Sequence, residues 1–271
     1  MKTTGIGAVL ALLCCAPAMA QQADTWRDPG SGIEFVRIGK GCFQMGTDAP
    51  NKFVRGEKPL PPMPNEAPRH EVCVDGFWMG KLEVTRAQWQ KVMQGSAANV
   101  ELPQRPATHV TREDALRFIE RLNAQGGGKR FRLPTEAEWE YACRAGASEE
   151  PLPQTLEDAR KVLAPIAWYD TTTHGSADTR DVATLAPNAW GLHDMLGNVL
   201  EWVQDTYLEN GYAQHARHNP KVTQGGERYV LRGGSFKSEW WNTRCGARLF
   251  GVPGDPSWVT GLRVVREADR K

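Results

Sequence analysis

The stretch Asn188-Ala-Trp-Gly-Leu-His-Asp-Met-Leu-Gly-Asn-Val-Leu-Glu-Trp202 constrains this chain more than any other segment. Nothing in its composition marks a helix or strand that merely needs burying. Asp194 and Glu201 offer carboxylates at a fixed interval, and Gly197 between them permits a sharp turn that aims the carbonyls of Gly197 and Val199 inward. Hard cations are held by that mix of oxygens. The segment therefore reads as a structural calcium loop with Asp194, Gly197, Val199 and Glu201 as ligands.

The rest of the chain suits one loop-rich α+β domain. Its 271 residues, 40% hydrophobic, can bury a sizeable core, and Gly 27 with Pro 18 implies many turns. Lys+Arg 33 against Asp+Glu 32 leaves a net charge of +1. That is no excess for gripping phosphates or an anionic membrane, so nucleic acid is not an expected partner. The 10 Trp outnumber the 8 Phe, which suits amphipathic rings along loops and a binding face.

Lys2 precedes an apolar run from Ile6 to Cys15, and Ala18-Met-Ala20 presents small residues to a signal peptidase. The run is shorter than the ~20 residues of a membrane span. Residues 1–20 thus read as a signal peptide cleaved after Ala20, residues 21–271 as the mature domain, and the destination as periplasmic or secreted. The mature chain keeps Cys42, Cys73, Cys143 and Cys245, in a compartment where thiols pair by default and three connectivities are open.

Residues 33–38 and 70–84 alternate as half-buried strands do. Three helices are marked by their starts: Thr85-Arg-Ala-Gln88, Thr111-Arg-Glu-Asp114 and Thr135-Glu-Ala-Glu138 each place a hydroxyl where it caps free amides, the first and third as full capping boxes. Trp89, Val92 and Met93 form the first buried stripe, Leu116, Ile119 and Leu122 the second, Trp139 and Ala142 the third. Gly126 and Gly146 end the second and third helices. The proline-rich stretches 50–66 and 148–165 read as surface loops. His215 and His218 read as solvated loop histidines, and His70, His109, His174 and His193 carry no ligand pattern.

Arg132-Leu-Pro-Thr-Glu-Ala-Glu-Trp-Glu-Tyr-Ala-Cys-Arg-Ala-Gly146, the 188–202 stretch, Arg232-Gly-Gly-Ser-Phe236, Arg244-Cys-Gly-Ala-Arg248 and Gly261-Leu-Arg263, in that order, resemble the formylglycine-generating enzyme family, also called sulfatase-modifying factors. The resemblance runs from about Ile33 to Arg266. It implies a C-type-lectin-like fold in which the segments carrying Cys42 and Cys73 are neighbours, so that these two pair, leaving Cys143 and Cys245 bonded together or free. Fold alone does not choose among the family's activities.

The copper-dependent members of this family supply two cysteines five residues apart, whose soft thiolates bind Cu(I). Cys245 matches the second, and Trp240 stands where the first is wanted, so copper is not expected. What remains between Arg232 and Arg248 is a set of groups that could serve a cleft. Glu239 is a candidate general base, Ser235 and Arg244 candidate catalytic partners, and Trp240, Trp241, Arg232 and Arg248 candidate substrate contacts. The expected role is oxidative tailoring of an exported small molecule or peptide without the two-cysteine copper site. The alternatives are a noncatalytic ligand- or protein-binding module and a formylglycine-generating oxidase acting on a sulfatase cysteine. The substrate and any protein partner are not legible.

Overall fold

The computed structural model describes residues 24–48, 54–55, 58–59, 63–94, 100–148, 153, 155–173 and 178–269. The signal peptide, its cleavage site and His174 lie outside the described residues.

Threonine hydroxyls start the first three helices: α1 (Arg86–Gln94), α2 (Arg112–Gln125) and α3 (Glu136–Arg144). Thr111 and Thr135 each accept from the backbone N–H three residues on, while Asp114 and Glu138 reach back to the cap. Gln88 closes the same reciprocal pair with Thr85, at 3.1 and 3.2 Å. All three starts are therefore full boxes, Asp114 being long enough to close the second. At the far end of α3 the chain turns through Ala145 and Gly146, both at positive φ. The buried stripe of α2 runs through Ala115, Phe118, Ile119 and Leu122, whereas Leu116 is 48% exposed. Phe118 takes its place because it stacks on Trp89 of α1, with ring centroids 5.0 Å apart.

A five-stranded antiparallel sheet runs in the order Thr25–Arg27, Glu34–Ile38, Phe77–Gly80, Val265–Glu267, Phe131–Arg132. The 70–84 stretch is not one strand: Asp75-Gly76 turns the chain after His70–Val74, which pairs instead with Gly41–Met45. In that pairing Cys42 stands opposite Cys73, and the two form a disulfide. A second, four-stranded sheet has the order Leu249–Gly251, Tyr229–Arg232, Leu200–Thr206, Thr260–Gly261. α3 packs between the 41–45/70–74 hairpin and the second sheet, burying Trp139 and Ala142. A smaller apolar cluster joins α4 (Leu156–Leu163) to the segment around Trp240. Among the described residues no helix is long and apolar enough to cross a membrane.

Candidate functional site

The chain leaves the strand Tyr229–Arg232 through Gly233 and Gly234, at φ of 93° and 78°. A side chain at Gly233 would come within 3.2 Å of Trp139 and of the Met195 carbonyl, so glycine is needed for space as well as for φ. Ser235 is buried, and its hydroxyl is used inside the turn by Lys237 N at 3.2 Å and Ser238 Oγ at 3.3 Å. Glu239 is half-buried and precedes a short 3-10 turn, Trp240–Asn242. Trp240 and Trp241 pack in the core with Leu163, Ala167 and Tyr169 instead of facing a substrate, because α4 offers them an apolar surface.

The three arginines of the segment are spent on the scaffold. Arg232, wholly buried, donates to Glu140 at 2.5 Å and to the carbonyls of Cys245 and Ala247 at 2.6 and 2.8 Å. Arg248 holds Glu136 through Nε at 2.7 Å and Nη2 at 3.0 Å. Arg244 forks end-on to Glu66, through Nη2 at 2.7 Å and Nη1 at 3.0 Å. Such bidentate pairs fix geometry strongly. Burial alone would raise the Glu140 carboxyl, but Arg144 and Arg232 overturn that and hold it at about 2. Glu136 and Glu140 sit one helical turn apart on α3, so this short helix anchors the whole 232–248 segment. The structure thus shows Arg232, Arg244 and Arg248 bracing the scaffold through Glu140, Glu66 and Glu136.

Cys143 of α3 and Cys245 form the second disulfide. Every cysteine among the described residues is therefore oxidised in a pair. Cys245 has no thiolate to offer copper, and the donor set does not fit a Cu(I) centre.

The 188–202 stretch is held by protein partners. Glu201 accepts from Trp139 Nε1 at 2.6 Å and pairs with Arg263 at 2.8 Å, and Asp194 accepts from Ala183 N at 2.7 Å. Gly197 takes φ 81° and lies so close to the Trp168 carbonyl that a side chain there would overlap it. Both Glu201 oxygens face N–H donors, so this carboxylate does not fit the calcium role read from the sequence. Three buried acids, Glu83, Asp194 and Glu201, share Arg263. Burial together with Asp194 and Glu201 pushes Glu83 well up, and burial raises Asp194.

Behind the Trp240–Cys245 turn lies a cavity of about 160 Å³. Val162, Leu163, Ile166, Leu192, Met195 and Leu196 line it, the Cys143–Cys245 disulfide forms one wall, and Arg144, Asp194 and Arg244 supply its polar edge. This is a half-open, mostly apolar lining with few polar groups, of the kind small-molecule sites present. The cavity was missed in the sequence because its walls come from segments far apart.

Sequence reasoning also missed a buried acid and its histidine. Asp205 accepts from Glu136 N at 2.8 Å and Val222 N at 2.9 Å, and burial beside Glu136 pushes it up to about 7. His215 is not a solvated loop residue: atoms of Glu136, Asp205 and His215 lie within 4.8 Å of one another. His70 Nδ1 sits 2.8 Å from the Pro68 carbonyl and must donate to it, so His70 Nε2 accepts from His215 Nδ1 at 3.0 Å. That leaves His215 Nε2 buried and without a partner, and burial lowers its pKa to about 4. One signal was available: Asp205 falls on the same strand face as Val203, both buried.

Residues 21–268 match the Sulfatase-modifying factor enzyme 1-like domain. The chain belongs to the formylglycine-generating enzyme family. It is 27% identical over 298 residues to the formylglycine-generating enzyme of Bos taurus, covering 87% of this chain and 75% of that one. The enzyme of Streptomyces coelicolor is 31% identical over 198 residues, covering 69% and 61%. Among solved structures, PvdO from Pseudomonas aeruginosa superposes with a TM-score of 0.75 at 24% identity, over 92% of this chain and 99% of that one. Treponema denticola variable protein 1 gives 0.71 at 24%, over 92% and 100%. At these identities the structures speak to fold, which is the mixed α/β fold of the family.

Proposed function

We propose that this protein is an exported member of the family that works without a thiolate copper centre. In this reading it takes a small, largely apolar molecule, or an apolar peptide side chain, into the cavity beside the Cys143–Cys245 disulfide. The observation that carries the reading is that largely apolar lining, set where Cys245 is part of a disulfide wall. Export is supported by the paired cysteines. Formylglycine generation loses its support, since no described thiolate remains to hold Cu(I).

Oxidative tailoring of the occupant is the second reading: an external two-electron oxidant such as dioxygen would take two electrons and two protons from the occupant and leave as hydrogen peroxide, and one observation favours a protein group for the proton. Asp194 lines the cavity with a carboxyl raised by burial, which puts a proton-exchanging group against whatever is bound. Ser235 and Arg244 have less claim to that chemistry, because both are already committed to neighbours.

Binding is tested with indole as a probe of apolar, ring-sized cavities, by calorimetry and saturation-transfer NMR. Saturable binding is expected in the wild type and not in Val162→Trp or Ile166→Trp, which fill the cavity from half-buried positions. Binding that is unsaturable, or unchanged in both variants, removes the reading. A Cys-x-Pro-x-Arg peptide incubated with copper-supplied protein should keep its mass.

A further inference from the structure

The two disulfides differ in what surrounds them. Cys143 and Cys245 are both buried and belong to an apolar core cluster. Cys73 is buried too, whereas Cys42 is exposed, sharing the open face of the Gly41–Met45 strand with Gln44. The segment 217–219 runs along the other side of Cys73, whose N–H donates to the Arg217 carbonyl at 2.7 Å and whose carbonyl accepts from Asn219 N at 2.8 Å. Both backbone groups of Cys73 therefore turn away from Cys42, and the pair occupies a position of the ladder without hydrogen bonds of its own, where facing side chains stand closest. Opening this disulfide breaks no hydrogen bond between the strands. Gly41 with Val74 and Phe43 with Val72 still hold the two cysteines opposite each other. A half-open cavity of about 330 Å³ lies against Cys42 and not against Cys73. Gln44, Arg69, Glu71 and Ser148 give its wall polar groups of both signs.

We propose that Cys42–Cys73 is a thiol–disulfide exchange site for a small polar thiol seated in this cavity. The thiolate attacks Cys42 Sγ, the S–S bond breaks with its electron pair going to Cys73, and Cys73 takes up the proton that the thiol released. A mixed disulfide on Cys42 results. A second thiolate attacks the ligand sulfur of that mixed disulfide and releases Cys42, which is protonated in turn. Two thiols have then become one disulfide, and the protein holds their two electrons and two protons as a pair of thiols. The oxidant is the protein's own disulfide, so no other redox group is needed. Access decides the direction of attack: Cys42 borders the cavity, while the 217–219 segment covers Cys73. Exposed disulfides are the ones that exchange, and buried ones such as Cys143–Cys245 are inert. A wall of mixed sign suits a thiol that carries both carboxylate and ammonium groups.

The probe is reduced glutathione, added to the oxidised protein without denaturant. Acid quenching, alkylation and peptide mapping then locate the products. Glutathione is expected on Cys42 and the alkyl label on Cys73, with Cys143–Cys245 intact and exchanging slower by about tenfold or more. Supplied with oxidised glutathione, Cys73→Ser should trap the mixed disulfide on Cys42, whereas Cys42→Ser should leave Cys73 unmodified. Gln44→Trp, at an exposed position on the cavity wall, should slow glutathione by about tenfold and mercaptoethanol far less, because access limits only the larger thiol. The wild-type measurement needs no variant to fold, and a wild type that stays fully oxidised overturns the inference. So does glutathione found equally on Cys73, a Cys143–Cys245 pair that exchanges as fast, or a Gln44→Trp variant that reacts as the wild type does.

Discussion

Replacing Asp205 by asparagine tests the buried network around α3 most directly. Asp205 is 1% exposed, bounded by Glu136, Arg248 and His215, and its carboxyl is pushed from 3.8 up to about 7. The shift is ~3 units, and at ~1.36 kcal/mol each it amounts to roughly 4 kcal/mol. The folded state holds this proton more tightly than the unfolded state, so the contribution is fully present below about pH 4 and is lost as pH rises through about 7. His215 acts in the opposite sense. Its folded value, about 4, lies below 6.5, so its contribution is present above 6.5 and is lost as pH falls through about 4. In the wild type the two largely cancel between those limits, and a single stability curve would hide both. Asparagine removes only the first, at the cost of turning an amide N–H₂ toward a backbone N–H. The stability gap between wild type and Asp205→Asn, from urea unfolding at about pH 4 and about pH 8, should therefore narrow by roughly 4 kcal/mol as pH rises. A gap that stays constant to within about 1 kcal/mol would falsify the assignment of a proton to Asp205.

Other perturbations have equally definite outcomes. Glu140→Gln strands Arg232 in the core and should cost about 3–5 kcal/mol in urea unfolding; a loss below about 1 kcal/mol means that the pair is not the brace described here. Its ionised form contributes stability above the unfolded carboxyl pKa, so acid should unfold the wild type as pH falls toward about 2. Cys143→Ser with Cys245→Ser opens a loop of 102 residues and should lose about 2–5 kcal/mol, which intact-mass analysis and melting under non-reducing conditions check. Chelation should leave the melting temperature unchanged, because the Arg263 guanidinium already supplies the positive charge beside Glu201; a fall restored by added calcium would return a metal ion to the 194–201 segment.

Local chemistry was legible and long-range chemistry was not. Thr85, Thr111 and Thr135 announce their helices because a cap is made by residues three apart, whereas the pairing of Cys42 with Cys73, 31 residues apart, was expected only from the family resemblance. Leu116 and Phe118 show the limit. Both fit an apolar pattern, and which one is buried depends on Trp89 of another helix. Trp240 and Trp241 were read as a binding face because their packing surface, α4, lies almost eighty residues upstream. Arg232, Arg244 and Arg248 look like substrate clamps until their partners Glu140, Glu66 and Glu136 are located, each roughly a hundred residues away or more. The calcium reading of Asp194 and Glu201 meets the same limit, since spacing cannot reveal that Arg263 arrives beside Glu201 from sixty-two residues downstream. Carboxylates at fixed spacing suit a cation and suit an arginine equally.

The strand Val265–Glu267 lies between Phe77–Gly80 and Phe131–Arg132, in the interior of the five-stranded sheet. A nascent polypeptide therefore cannot close this sheet until residue 267 has emerged. Every shorter intermediate presents two unsatisfied strand edges, each of which invites pairing with another molecule. Under the export proposed above, that order of synthesis suits passage through a translocon, where a chain must stay extended, and completion of the fold would fall on the far side of the membrane, where the two cysteine pairs can lock it.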